Sequence, residues 1–457
     1  MQLFWLLPSL VLHPRQNRTR LHEQPQLPQL RLHGNMTLVQ EAAEVRAALA
    51  AAWARVPAPF RGPTQFMGRQ YAGCGATIGA MPKCDFHCTG CYLNTDANKT
   101  QPAPVSEIKR QLRQLRAWLG PCGNVQLTDG EVSLRRESEL IEIIAYARRI
   151  GLVPMLMSHG ETFRRRPDLL ERLMEKGGLT EVCIHIDTTQ RGRRDAYRAA
   201  QTEADLDGLR TEFAQLIRRA RTRTGHKLEV ASTVTVTQHN LNGVPGIIRW
   251  FLANADAFKM VSFQPLAEVG RTDPSLKGVT PDELWRRIAE GAGDPAIRRG
   301  EGWVGHPGCS RFVQGLAVRR SNAVAFVPLY RRDDEGEMRL LNELLDRFGG
   351  ASFRLDERAR AWRRAARIMI HHGGFIIGRL LPAFVRLLRR TRSFRANYFC
   401  IVSHHFMSAA EMKTAQGEER LAACAFRVPI DGHLEPMCAV NALGLRESYY
   451  RQISSAA

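Results

Sequence analysis

The sequence predicts an α/β protein: a partial (β/α)6 TIM-like barrel with a C-terminal α+β extension. Between residues 76 and 264, six strand patterns alternate with helical ones. Short connections of this kind argue for a parallel sheet. A group of cysteines follows the first strand pattern directly, where the βα loops of a barrel converge and chemistry gathers. Beyond Thr280 the alternation stops.

The elements run as follows. A helix over 39–56 and a Pro-rich linker make up a segment from 36 to 70. The barrel, 71–280, opens with an apolar strand at 76–81. A helix follows at 105–119, with Ile108, Leu112, Leu115 and Leu119 on one face. Strands at 125–128, 153–157 and 182–187 alternate with helices at 137–150, 167–175 and 206–221. The Val/Thr alternation of 228–236 is a strand signature. A helix at 247–253 and a strand at 260–264 close the series. The remainder, 281–457, holds a helix at 281–291, a turn at 306–309 and a basic amphipathic helix at 375–390. Gly373 and Gly374 just before that helix and Pro382 within it predict breaks. Residues 424–441 read as a hairpin turning at Asp431-Gly432.

Composition narrows the function classes. Hydrophobic residues make up 44% of the 457, which excludes fibrous and wholly disordered chains. Ten cysteines in this length are too sparse for a secreted disulfide scaffold, and the clustering of three reads as metal ligation in a reducing compartment. The apolar start lacks a basic region ahead of it, so no secretory signal is expected. Residues 1–35 read as disordered or as a mispredicted extension, with Met36 as the natural start. No apolar run reaches the ~18 to 20 uninterrupted residues of a membrane span. The net charge is +20, and eleven arginines fall between residues 358 and 395, with no acidic residue between Glu357 and Glu411. Such a block suits nucleic acid or membrane head-groups, or else is a solvated helix face. The apolar side of 375–390 beside its arginines fits a helix lying in a membrane interface, or a core helix with a charged back. The expected location is cytoplasmic, at the inner membrane face if peripheral.

The strongest motif is Cys84-Asp-Phe-His-Cys88-Thr-Gly-Cys91-Tyr92. Three thiolates on one compact loop can ligate three irons of a [4Fe–4S] cube and leave the fourth open. The alternative, structural zinc, needs a closed fourth ligand such as His87 or a distant cysteine. At the end of the fourth strand His185 and Asp187 point the same way. A buried Asp must be paired, which favours ribose or substrate contact there over a plain core role.

A CxxxCxxC loop after the first strand of a βα barrel resembles the signature of the radical S-adenosylmethionine (SAM) superfamily. The resemblance implies that SAM chelates the open iron, is cleaved reductively, and yields a 5′-deoxyadenosyl radical that abstracts hydrogen from an unactivated carbon. A reductant such as flavodoxin or ferredoxin is then expected. Gly90 stands where the family often has an aromatic residue, with Tyr92 nearby. Thr128-Asp129-Gly130-Glu131 is similar to the family's Gly-Gly-Glu element that receives the SAM amino group, with Asp129 in place of the first Gly. Ser158 and His159 match the Thr-Asn-Gly position that bonds ribose or carboxylate, Asn240 lies among polar groups near the adenine, and Gln264 ends the sixth strand.

Phe263-Gln-Pro265, Gly270-Arg271, His306-Pro-Gly-Cys309 and Cys424…Pro436-Met-Cys438-Ala-Val-Asn441 resemble the branch of tetraether lipid synthase and its bacterial relatives. That resemblance, over residues 71–441, implies a hydrophobic chain as substrate, carbon–carbon bond formation, and an auxiliary [4Fe–4S] cluster on Cys309, Cys424 and Cys438, with Cys400 as the fourth ligand. Cys74, Cys122 and Cys183 read as structural. Two other readings stay open: a radical SAM enzyme modifying a peptide or RNA, and a non-enzymatic metal-binding protein that recognises nucleic acid.

Overall fold

In the computed structural model, which describes residues 33–319, 324–391 and 396–455, six strands lie side by side in chain order and all parallel. They are β1 (Cys74–Ala76), β2 (Gly123–Leu127), β3 (Leu152–Ser158), β4 (Glu181–His185), β5 (Glu229–Val236) and β6 (Phe258–Pro265). These are the six strands the alternation predicts. The proposed start at 1–35 lies outside the described residues except for His33–Asn35, a single 3-10 turn.

β5 shows why the sheet forms. Val230 to Val236 are all buried, as expected of a central parallel strand covered on both faces. Helix Val105–Leu119 lays Ile108, Leu112, Leu115 and Leu119 into the same core, and Gly120, at φ 73°, ends it in a conformation other residues avoid. β1 ends earlier than the apolar run suggests. From Ile78 onward the backbone is bonded by side chains, with Gln111 Oε1 accepting Ile78 N–H at 2.9 Å, so the chain leaves the ladder.

The C-terminal extension does not build a sheet of its own. β9 (Ala396–His404) pairs parallel with β6, and β10 (Phe426–Ile430) pairs parallel with β1. The parallel run therefore has eight strands. β7 (Ser310–Arg319) and β8 (Val324–Pro328) add an antiparallel ribbon beyond β9, and β11 (His433–Pro436) pairs antiparallel with β10. The result is one curled eleven-stranded sheet, a partial barrel widened at both edges. The β10–β11 hairpin turns where predicted, with Asp431 and Gly432 both at positive φ, the backbone a two-residue type I′ turn requires.

One expectation is corrected. Residues 358–391 form a single helix of 34 residues rather than broken pieces. A widened π turn at Ile376–Leu380 shifts the hydrogen-bond register. Pro382 then falls in the first turn after that shift, where its missing N–H costs little. As one element, this helix is long and apolar enough by composition to cross a membrane, which the reading of separate segments missed.

Glu301, packed where the chain folds back on Phe312, carries a pH prediction. Burial pushes its carboxyl up to about 7, against the opposing pull of the Arg332 N–H and the neighbouring guanidinium groups. An acid whose folded value is raised binds its proton longer when folded than when unfolded. Its contribution is therefore intact below the ordinary Glu range and is lost as pH rises towards 7. Glu301→Gln is expected to flatten the fall in urea stability between about pH 5 and about pH 7. Parallel profiles for the two proteins would contradict this.

Candidate active site

The loop from Met81 to Leu93 hangs from the C-terminal end of β1 and is bonded to three neighbouring loops. After β2, the Gly130 and Glu131 N–H groups donate to Met81 O at 2.7 Å and Lys83 O at 2.8 Å. After β4, Arg191 O and Thr189 O accept from His87 N–H and Thr89 N–H at 2.7 and 2.9 Å. After β6, Arg271 N–H donates to Cys91 O at 3.0 Å and Asp273 N–H to Thr89 O at 2.8 Å. Asn98 Oδ1 accepts the Cys84 N–H at 2.8 Å. The loop is thus fixed by the ends of four strands, which is how a barrel mouth positions a site.

Cys84, Cys88 and Cys91 are each half-buried and within electrostatic reach of one another. Burial pushes the Cys84 thiol well up, and the other two sulfurs add to it. Cys88 is pushed up to about 12, first by burial and then by Cys91. The resistance of Cys84 and Cys88 to ionisation is what a cationic centre would reverse, since a coordinating thiol is deprotonated by the metal. The donor set fits a [4Fe–4S] cluster with one open iron.

Among the described residues, His159 is the histidine ring grouped with Cys84, together with Asp85. Its Nδ1 accepts Glu161 N–H at 3.1 Å, which places the proton on Nε2, facing Asp85 Oδ1 at 2.8 Å. Neither nitrogen has a free lone pair to close a zinc site. The ring stacks on Phe86 at 3.8 Å, and the Arg193 guanidinium covers the Phe86 ring at 5.0 Å.

The strand-end residues separate into two groups. Some are consumed by the protein itself. Glu131 is 1% exposed, and its Oε1 accepts from Ser133 and from Ser158 Oγ at 2.7 Å. Its Oε2 accepts His159 N–H at 2.8 Å. These bonds tie the β2 loop to the β3 loop. Asn240 is similarly engaged, donating to Glu203 Oε1 and Thr235 O, both at 2.9 Å, and accepting from Thr237 N–H at 2.8 Å. These bonds cap the turn after β5.

Others face the mouth. His185 Nε2 meets Asp187 Oδ2 at 2.6 Å, as the shared strand face implies. Burial works against the Asp187 charge, but His185 and the donors from Thr189 and Thr235 outweigh it and hold the carboxyl below its ordinary range. His185 keeps part of its ring exposed. Gln264, half-buried, pairs in register with Thr235 at the same end of the sheet. Gly90 lies against Leu266, whose Cδ1 would be 2.6 Å from an added Cβ. Leu266 thus fills the space where an aromatic side chain at position 90 would begin.

The Asp for Gly departure at position 129 has a structural answer. Asp129 is buried. Its carboxylate forms an ion pair with Arg446 and accepts from Tyr450 Oη at 2.5 Å and Gly79 N–H at 2.8 Å. Arg446 also stacks over the Tyr92 ring at 4.8 Å, and Tyr92 Oη bonds Asp129 O. Helix Leu445–Ser455 therefore supports the β2 loop from behind. Nothing local in the sequence marks Arg446 or Tyr450, although a buried Asp required some partner. Asp85, Arg193 and Asn98 were missed for the same reason: their roles come from contacts distant in sequence.

In the extension, Cys309, Cys424 and Cys438 come together. Cys438 is pushed up to about 12 by burial, then by Cys424 and Cys309. Arg420 Nε donates to Cys309 Sγ at 3.2 Å. Cys400 does not join them. It sits on β9 in an apolar cluster with Phe66, Phe312 and Tyr330, because its place in the β7–β9–β6 ladder points it to that side. Cys183 bonds Thr233 Oγ1 at 3.0 Å within the sheet.

A family model described as the Radical SAM superfamily matches residues 78–240. A 7,8-dihydro-6-hydroxymethylpterin dimethyltransferase of Methanocaldococcus jannaschii is 26% identical over 199 residues, covering 43% of this chain and 37% of that protein. The chain thus spans little more than a third of that relative's length. Among solved structures, Streptococcus suis SuiB bound to S-adenosylmethionine is similar over 50% of this chain and 48% of its own, at 15% identity and a TM-score of 0.37. Methylornithine synthase (PylB) is similar over 59% and 72%, at 12% identity and a TM-score of 0.32. Likenesses of this strength carry no information about substrate. The family match falls on the loops after β1 to β5 that converge around the three thiols, so residues 78–240 carry a radical SAM domain.

Proposed function

We propose that this protein is a radical SAM enzyme that abstracts hydrogen from an unactivated carbon of a lipid or another hydrophobic chain. The observation that carries the reaction class is the three-thiol loop, fastened to the ends of the surrounding strands. Cys84, Cys88 and Cys91 would hold a [4Fe–4S] cluster that, with SAM on its open iron and an electron from a flavodoxin- or ferredoxin-like donor, supplies a 5′-deoxyadenosyl radical.

The chain's own part is placement and shielding. Asn98 and the β2, β4 and β6 loops fix the sulfur geometry. Phe86, in contact with His159 and Arg193, and Leu266, packed on Gly90, exclude water from the loop. His185, oriented by Asp187, and Gln264 present polar groups at the mouth for a ribose or substrate.

The substrate class is supported by the C-terminal motifs. The His306–Cys309 turn and the segment from Cys424 to Cys438, similar in sequence to the tetraether lipid synthase branch, bring three thiols within electrostatic reach of one another at one place. We assign to that group of thiols an auxiliary [4Fe–4S] cluster on Cys309, Cys424 and Cys438.

Isotope tracing of the lipids of a deletion strain tests the substrate. At least one lipid carrying an added carbon–carbon bond is expected to disappear and to return on complementation. Unchanged lipids, with SAM cleavage intact in the purified protein, would remove the lipid substrate and leave the reaction class standing.

A further inference from the structure

The helix Arg358–Thr391 is the most unusual surface of the molecule. One side is anchored. Arg360 and Arg364 pair with Glu41 and Asp356 at its start, and Arg379 and Arg390 pair with Glu343 and Glu337 further on. Phe375 and His372 pack on Phe348, and Leu387 packs on Val318 and Val327.

Among the described residues, none covers the opposite side. Trp362, Met369, Ile370, Ile377, Leu381 and Val385 are exposed along it, Ile370 to 80% and Ile377 to 62%. Their spacing keeps them on one stripe, and none of the helix's apolar stretch is buried. Arg358, Arg363 and Arg367 precede the centre of the stripe, and Arg386 and Arg389 follow it, all exposed. No ion pair with a carboxylate holds any of these five among the described residues.

Soluble proteins rarely expose so long an apolar patch. An apolar stripe bordered by cations matches a bilayer surface, with side chains entering the acyl boundary and guanidinium groups meeting anionic head-groups. Crossing the bilayer is a different matter. Both ends are fastened to the same body by ion pairs and apolar contacts, so the helix, about 50 Å long at 1.5 Å per residue, lies along the surface. Nucleic acid would use the arginines and leave the six apolar side chains in water.

We propose that this helix docks the protein in the plane of an anionic membrane. The inference stands on the helix alone and does not depend on the chemistry assigned to the thiol loop.

Flotation of the full chain with vesicles tests it, comparing phosphatidylcholine alone with a mixture holding about 30% phosphatidylglycerol. Wild type is expected to float with the anionic vesicles. The triple variant Ile370→Gln/Ile377→Gln/Leu381→Gln should bind about tenfold more weakly or worse, and so should Arg386→Gln/Arg389→Gln combined with Arg363→Gln/Arg367→Gln. Because these side chains are exposed, thermal unfolding and SAM cleavage without vesicles should be unchanged in both variants.

Four results would overturn the proposal. Wild type could fail to float, or its binding could survive the apolar substitutions. Light scattering could show a dimer that the apolar triple abolishes, so that a second copy covers the stripe. Arginine-dependent binding to single-stranded RNA could occur with no binding to vesicles.

Discussion

Replacing Arg446 with alanine is expected to destabilise the protein by about 3–5 kcal/mol, the cost of leaving a buried carboxylate without its cation. Asp129 is 2% exposed, and its remaining partners, Tyr450 Oη and Gly79 N–H, are neutral. The guanidinium also donates to Asn441 Oδ1 at 2.8 Å and covers the Tyr92 ring, so its loss loosens the support of the β2 loop as well. Urea unfolding of Arg446→Ala checks the size. The double variant Asp129→Asn/Arg446→Met should recover most of the loss, because removing both charges of a buried pair is far less costly than removing one. A single-variant change below about 1 kcal/mol would mean that solvent reaches Asp129.

The second large effect is expected at Gly130. A Cβ there would lie 2.4 Å from both Pro82 O and Lys83 O, two backbone atoms that cannot rotate away. The same stretch is held by hydrogen bonds from Gly130 N–H and Glu131 N–H into the cysteine loop, so neither strand of this contact has slack. Gly130→Ala should therefore displace the loop that carries Cys84 while leaving the sheet folded. A shift of about 1 Å in a site of this kind costs on the order of 100-fold in rate. SAM cleavage is expected to fall by at least that factor, with iron retention reduced and the circular dichroism spectrum preserved. Wild-type rates in Gly130→Ala would show that the two loops can separate without consequence.

Local pattern carried much of the fold. The buried Val/Thr run of β5, the apolar face of helix Val105–Leu119 and the Asp431-Gly432 turn were all legible, because each depends on residues close in sequence. The pairing of β9 with β6 and β10 with β1 was not, since strand partners far apart leave no periodic signal. The helix 358–391 was misread for a related reason. Gly373, Gly374 and Pro382 are breakers by propensity, but a π turn and packing on Phe348 and Val318 carry the helix through them.

The site divided in the same way. The three thiols announce themselves by spacing, whereas the partners of Glu131, His159 and Asn240 appear only once the loops are assembled. Cys400 was the fourth ligand that the resemblance implied, but its place on β9 puts it in the apolar cluster with Phe66, Phe312 and Tyr330.

The most direct test of the central claim is anaerobic iron and sulfide content together with SAM cleavage, on wild type and on the Cys84→Ala/Cys88→Ala/Cys91→Ala variant. The expected wild-type result is about eight irons and production of 5′-deoxyadenosine. The variant should hold about four irons, on Cys309, Cys424 and Cys438, and make none. Zinc in place of iron in the wild type, with no cleavage of SAM by the reduced protein, would contradict the account.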